Sequence, residues 1–283
     1  MKRKHYALIG HPIAHSMSYF IHKRLFELSG TDADYDLINI PPEDLGMAFN
    51  SLKELDGFNV TIPHKQTIIQ YLDSLSKKAK LYKSINVIKN TNGRSKGYTT
   101  DPDGFVAALE LTNIPLSGRV VILGAGGAAR AAAYEAVLAG CETVIAVRPQ
   151  TLSHVASLIG DIKTNTIAPQ ISSCTLEALS GHIDLLVNAT PVGTYPKIHE
   201  SPVFADTVKN CEAVFDMVYN PNETMLIKLA KSNGIKYSNG LPMLVWQAVH
   251  AQNIWTGAQF KCNDIKQLCI DTRAEMNKIF PVT

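Results

Sequence analysis

The sequence predicts an α/β protein built as two units, and three observations carry that prediction. Short apolar runs alternate with helical patterns through the first third of the chain, as in a mainly parallel sheet with crossover helices. A strand, a glycine-rich turn and an alanine-rich helix then follow one another in "SGRVVILGAGGAARAAAYEAVLAG", residues 117–140. The chain has 283 residues, enough for one large or two ordinary domains with a sizeable core.

In the first unit, "YALIG" reads as a strand. "SMSYFIHKRLFELSG" reads as a helix with Met17, Ile21, Leu25 and Leu28 on one face and Gly30 as its stop. "YDLINI" is strand-like, and "PPEDLGMAFNSLKEL" opens with proline and acids, as helix starts do. "FNVTI" is a strand again, and "HKQTIIQYL" turns helical. A second unit begins near residue 104. Its strands after the glycine turn are "ETVIAV", "HIDLLVNAT", "CEAVFDMV" and "IKYSNG". The final "LPMLVWQAVHAQNIWTG" and "DIKQLCIDTRAEMNKIF" are helical, and their order in the chain suggests that they pack back on the first unit. The expected division is therefore 1–103, completed by helices within 240–283, and 104–239.

Composition narrows the classes. Hydrophobic content of 46% and charged content of 18% are those of a soluble globular protein, and a net charge of +2 gives no field for nucleic acid. No long apolar run suggests a membrane span, and the apolar start ends at Gly10-His11-Pro12 without a leader pattern. The five cysteines are odd in number and lack a CxxC pair, so reduced thiols in the cytoplasm are the simplest account. His11 and His15 have tempting spacing, but Pro12 breaks any helix between them, and no metal is expected. Trp246 and Trp255 read as core, and Phe58 and Ile62 as ordinary packing.

The glycine turn carries chemistry. Gly124, Gly126 and Ala129 form G-x-G-x-x-A directly after a buried-type strand and at the opening of a helix. Glycine permits the tight turn, Gly126 lets backbone approach a pyrophosphate, and the helix start offers unpaired N–H groups. An acid at the end of the next strand would favour NAD. That strand ends Val147-Arg148-Pro149 instead, and Arg148 suits the 2′-phosphate of NADP.

Polar side chains also collect at strand ends and helix starts. Ser16 and Ser18 stand in "GHPIAHSMS", as ligand donors or as caps of the following helix. "GFNVTIPHK" holds Asn59, Thr61 and Lys65, and "SINVIKNTNGRSKGYTTDPDG" holds Asn86, Thr100 and Asp101. Together with the later runs, these stretches resemble the shikimate dehydrogenase family, including its quinate/shikimate branch. Gly10–Ser18 resembles its G-[NY]-P-I-x-H-S-x-S, and Gly57–Lys65 its G-x-N-V-T-x-P-x-K. Thr99–Gly104 resembles N-T-D-x-x-G, Gly124–Ala128 G-A-G-G-A, and Asn188–Gly193 N-A-T-S-x-G. Asp216, Tyr219, Pro221 and Thr224 follow D-x-x-Y-x-P-x-x-T, and Gly240, Met243, Leu244, Gln247 and Ala248 follow G-x-x-M-L-x-x-Q-A. The matches keep family order over nearly the whole chain.

The resemblance implies a substrate-binding α/β domain plus a Rossmann-type dinucleotide domain. It implies reversible, NADP-dependent reduction of 3-dehydroshikimate to shikimate, on the route to aromatic amino acids. Lys65 and Asp101 would be the catalytic pair. Ser16, Ser18, Thr61, Asn86, Tyr219 and Gln247 would hold the substrate. Gly124, Gly126, Gly127, Ala128, Arg148, Asn188, Thr190 and Gly240 would lie along the cofactor. An ammonium at Lys65 can donate the proton that a carbonyl oxygen needs as hydride reaches its carbon.

The chain departs from the family pattern at several places. Lys83-Ser84-Ile85-Asn86-Val87 stands for G-A-V-N-T, Thr99 for the asparagine of N-T-D, and Tyr19 for the proline after Ser18. Val147-Arg148-Pro149 stands for N-R-T, and Pro191 for the serine of N-A-T-S. These changes leave open NAD as the cofactor, and quinate or another hydroxylated cyclohexane carboxylate as substrate. A non-catalytic dinucleotide or ligand sensor is the reading from a different class. The expected partners are small molecules, with the chain a monomer or homodimer.

Overall fold

The computed structural model describes residues 3–13 and 16–280. The chain divides into two compact units: one runs to Gly104 and resumes at Val245, and the other is Phe105–Leu244.

The first unit begins with β1 (Lys4–Gly10), α1 (Ser18–Ser29), β2 (Ala33–Asn39), α2 (Leu45–Leu52) and β3 (Gly57–Val60). Gly30 stops α1 in the left-handed conformation, φ 64°, where glycine is unstrained, and its N–H closes the last turn. The buried face of α1 holds Ile21, His22, Leu25 and Phe26, whereas Leu28 is exposed. The apolar stripe thus turns towards Phe26, which stacks at 5.3 Å on Tyr6 of β1. Proline and acids do open the next helical stretch, as a 3-10 turn at Pro42–Asp44 ahead of α2.

After β3 the expected helix is a 3-10 turn, Thr67–Tyr71, with Ile68 alone buried. Three successive β-branched residues, Thr67, Ile68 and Ile69, crowd a regular α-helix there. β4 (Ser74–Leu75), α3 (Lys77–Tyr82), β5 (Val87–Thr91) and β6 (Arg94–Tyr98) complete the sheet, in the order β2-β1-β3-β5-β6-β4. β1, β2 and β3 are parallel as expected, but β5 and β6 form an antiparallel hairpin. Asn92 and Gly93 join them with φ of 52° and 73°, the values a two-residue type I′ turn demands. Phe58, Val60, Ile9 and Ile88 pack with Phe49 of α2 on one side of the sheet. Tyr6, Phe26, Tyr35 and Trp255 pack on the other. Trp246 is half-buried rather than core, and Ile62 is 72% exposed rather than packed.

α4 (Asp101–Leu111) carries the chain into the second unit. There follow β7 (Arg119–Leu123), α5 (Gly127–Leu138), β8 (Glu142–Val147), α6 (Leu152–Asn165), β9 (Ile171–Thr175) and β10 (Ile183–Asn188). α7 (Ala205–Lys209), β11 (Cys211–Asp216), α8 (Met225–Ser232) and β12 (Lys236–Asn239) complete it. α9 (Leu241–Thr256) and α10 (Cys262–Ile279) end the chain. The second sheet is parallel throughout, in the order β12-β11-β10-β7-β8-β9. The winding reverses between β7 and β10, and in open α/β sheets ligands bind at the carboxyl ends of strands beside such a reversal. Among the described residues, no helix is long and apolar enough to cross a membrane.

Candidate active site

Lys65 is held by the turn that leaves β3. Thr61 N–H donates to Ile9 O at 2.9 Å and His11 N–H to Ile62 O at 3.0 Å, fastening the exit of β3 to the end of β1. Gly10 makes that approach possible: a Cβ there would lie 2.4 Å from Thr61 Cγ2 and 2.6 Å from Ile13 Cγ2. His64, buried, donates from Nε2 to Ile40 O at 2.7 Å, and Ile85 N–H donates to Lys65 O at 2.8 Å. The backbone around Lys65 is therefore fixed from two directions.

Lys65 Nζ donates to Asp101 Oδ2 at 2.6 Å, with the two side chains 20% and 9% exposed. So little water around the pair strengthens its attraction beyond that of a surface ion pair. Asp101 is the first residue of α4, where the helix end favours a negative charge. Asn86 Nδ2 donates to Asp101 Oδ1 at 2.9 Å and to Thr100 Oγ1 at 2.9 Å, while Asn86 Oδ1 accepts from Thr100 N–H at 2.7 Å. Gln247 of α9 joins this group: its Oε1 accepts from Asn86 Nδ2 at 3.3 Å, and its carbonyl accepts from Thr100 Oγ1 at 3.0 Å. Of the residues that the sequence singled out, Lys65, Asp101, Asn86 and Gln247 form one connected cluster.

Ser16 Oγ accepts from Ser18 N–H at 3.2 Å, so it helps to start α1 as well as offering a hydroxyl. Ser18 is buried, and its side chain bonds the Tyr35 phenol, which burial pushes well above its usual pKa. Tyr35 Oη donates to Asn59 Oδ1 at 2.7 Å, and Asn59 Nδ2 donates to Asn86 O at 3.0 Å. Sequence reasoning missed Tyr35 and His64; both act through partners distant in the chain, and no local pattern marks them. Ala14 and His15, within the serine stretch, lie outside the described residues. Among the described residues, no three metal-ligating side chains gather.

In the second unit the glycine turn joins β7 to α5. Gly124 has φ 106°, which a side chain would strain, and a Cβ on it would lie 3.0 Å from Thr190 Cγ2. A Cβ on Gly126 would meet nothing within 4 Å, so the space over that backbone is open. Gly126 caps α5 with no side-chain partner, and the first N–H groups of the helix, from Gly127 and Ala128 on, face an uncapped end. Arg148 follows β8 and is exposed. Asn188 is fully buried, and its side chain is engaged with Thr190 and Asp216. Gly240 meets a structural demand, since a Cβ would lie 2.0 Å from Met217 O. Tyr219 is half-buried in the second unit, and desolvation raises its phenol pKa.

The model of the shikimate dehydrogenase substrate binding domain matches residues 8–88. A shikimate dehydrogenase (NADP(+)) from Caldanaerobacter subterraneus subsp. tengcongensis is 38% identical over 262 residues, which are 91% of this chain and 93% of that one. A crystal structure of a shikimate dehydrogenase in complex with NADP+ aligns with a TM-score of 0.88 at 37% identity, covering 95% of this chain and 96% of the other. Shikimate 5-dehydrogenase from Thermus thermophilus, in complex with NADP(H) and shikimate, aligns with a TM-score of 0.85 at 32% identity, covering 95% and 99%. Identity at this level over nearly the full length, with the lysine–aspartate pair and the glycine turn in place, means that the chain belongs to the shikimate dehydrogenase family.

Proposed function

We propose that this chain catalyses the reversible, NADP-dependent interconversion of 3-dehydroshikimate and shikimate. The observation that carries the reading is the Lys65–Asp101 ion pair, 2.6 Å long and largely shielded, within a cluster of hydrogen-bonding side chains. A sensor without turnover has no need for a proton donor held in that way.

The residues present fit the dinucleotide. Open space over Gly126 and the uncapped start of α5 suit a pyrophosphate, and exposed Arg148 suits a 2′-phosphate. When bound, NADP(H) supplies or accepts the hydride. In our reading Lys65 Nζ gives a proton to the carbonyl oxygen in the reductive direction and takes one from the hydroxyl in the other. Asp101 holds the ammonium in place through Oδ2 and accepts a substrate hydroxyl. Asn86 fixes Asp101 from its other oxygen, and with Ser16, Ser18, Thr61, Tyr219 and Gln247 it holds the hydroxyls and carboxylate. The first unit is then the substrate domain and the second the cofactor domain. We read the chain as a cytoplasmic enzyme that works as a monomer or homodimer and needs no nucleic acid. The test is to mix the purified chain with shikimate and NADP+ and follow absorbance at the reduced nicotinamide band. A steady rise supports the reading; no rise at any enzyme concentration overturns it.

A further inference from the structure

We propose that Asp216 is the positioning residue for the nicotinamide half of the bound dinucleotide, because it locks together the loops that follow β10 and β11. The inference rests on the dinucleotide reading above and names a residue that this reading does not use.

Asp216 is the last residue of β11 and is fully buried. Its Oδ1 accepts from Asn188 Nδ2 at 2.9 Å and from Val218 N–H at 3.0 Å, and its Oδ2 accepts from Thr224 Oγ1 at 2.5 Å. Asn188 Oδ1 in turn accepts from Thr190 N–H at 3.0 Å and from Thr190 Oγ1 at 2.7 Å. Thr190 Cγ2 lies where a Cβ on Gly124 would come within 3.0 Å. One carboxylate thus ties together the carboxyl ends of β10 and β11, and through Thr224 the start of α8, with Thr190 packed beside the glycine turn.

A carboxylate accepts from every donor in this arrangement. Three donors converge on two oxygens, whereas a carboxamide has one acceptor oxygen and would turn its NH2 towards Thr224. Burial pushes the Asp216 carboxyl up to about 6, against the three donors, so ionisation here is unfavourable in itself. An amide would escape that desolvation, and the site keeps the acid.

The position in the sheet decides which half of the cofactor is affected. Arg148 at the end of β8 marks the adenosine end, and the glycine turn after β7 receives the pyrophosphate. Across the reversal the next strands are β10 and β11, so the nicotinamide half falls to the loops that Asp216 holds.

The test titrates NADP+ and adenosine 2′,5′-bisphosphate, which lacks the nicotinamide half, into wild type, Asp216→Asn and Thr224→Val by calorimetry. Asp216→Asn should weaken NADP+ about ten-fold and leave the bisphosphate within about two-fold. Thr224→Val removes the Oδ2 partner together with the side-chain cap of α8, and should weaken NADP+ about three-fold with the bisphosphate again unmoved; it decides the matter if Asp216→Asn does not fold. Unchanged NADP+ affinity in the folded variants overturns the proposal, and so does an equal loss for both ligands, which marks a general loosening of the unit. Failure of the wild type to bind NADP+ shows up before any variant is made, and sinks the dinucleotide reading itself.

Discussion

The proton donor we propose, Lys65, has its backbone pinned by neighbours and its ammonium aimed by Asp101. Replacing it by alanine removes the donor and leaves Asp101 and Asn86 in place to bind. Lys65→Ala should lower kcat about a hundred- to ten-thousand-fold and change KM for shikimate by only a few-fold. Steady-state kinetics check this, and an unchanged kcat contradicts it. Buried His22 gives a second prediction at this scale. It stacks on Tyr35 at 4.4 Å and bonds Gln252 through Nδ1, and desolvation lowers its pKa from 6.5 to about 3. Between those values the unfolded chain takes up a proton that the folded chain refuses, so this contribution to stability is present above 6.5 and is lost as pH falls. Asp216 acts in the opposite sense between 3.8 and about 6, its folded form holding a proton that the unfolded form has released. Comparing variants cancels Asp216. Relative to His22→Gln, the wild type should lose about 1 kcal/mol of stability per pH unit on acidification below about 6, read from urea unfolding at several pH values. Parallel curves would contradict it. Lys65 and Asp101 were singled out in the sequence by the family motifs that carry them, and the structure brings their side chains together. Tyr35 and His64 were not, because each matters through contacts made by folding, and Asp216 stood in a family motif that gives no sign of the bonds it makes.

The elements follow local chemistry where that chemistry is strong. Gly30 stops α1, and the alanine-rich run after the glycine turn becomes α5. The β5–β6 hairpin had its signal too: Asn92-Gly93 is the turn that sets antiparallel pairing, although the run around it is polar. β9 and α6 gave weaker signals. β9 is an edge strand of sequence "ISSCT" with one buried residue, so it lacks the apolar run that marks the central strands. One element end carries a measurable strain. Lys83 caps α3 in the left-handed region, φ 46° and ψ 36°, at the position where the family pattern has glycine. A side chain there costs about 1–2 kcal/mol, part of which glycine forfeits through the looser unfolded chain. Lys83→Gly should therefore stabilise the protein by about 0.5–1 kcal/mol, raising the urea midpoint; a lowered midpoint contradicts this.

At the scale of the molecule, two sheets of different character carry two kinds of chemistry. The mixed sheet of the first unit presents the lysine–aspartate cluster, and the parallel sheet of the second presents the glycine turn and Arg148. The division into two α/β units could be read from the alternation of elements and from the glycine turn. The choice between related substrates could not, because Thr99 and Ser84, which depart from the family pattern, are buried beside the cluster and carry no local sign of what they select. The most direct test is therefore a comparison of kcat/KM for shikimate and quinate, each with NADP+ and with NAD+. Arg148 is the cation that directly follows β8, and a bond from one guanidinium to a 2′-phosphate is worth about ten-fold. The value should be highest for shikimate with NADP+, about ten-fold above shikimate with NAD+, and lower for quinate with either cofactor. Equal or better turnover with NAD+, or a preference for quinate, would contradict it.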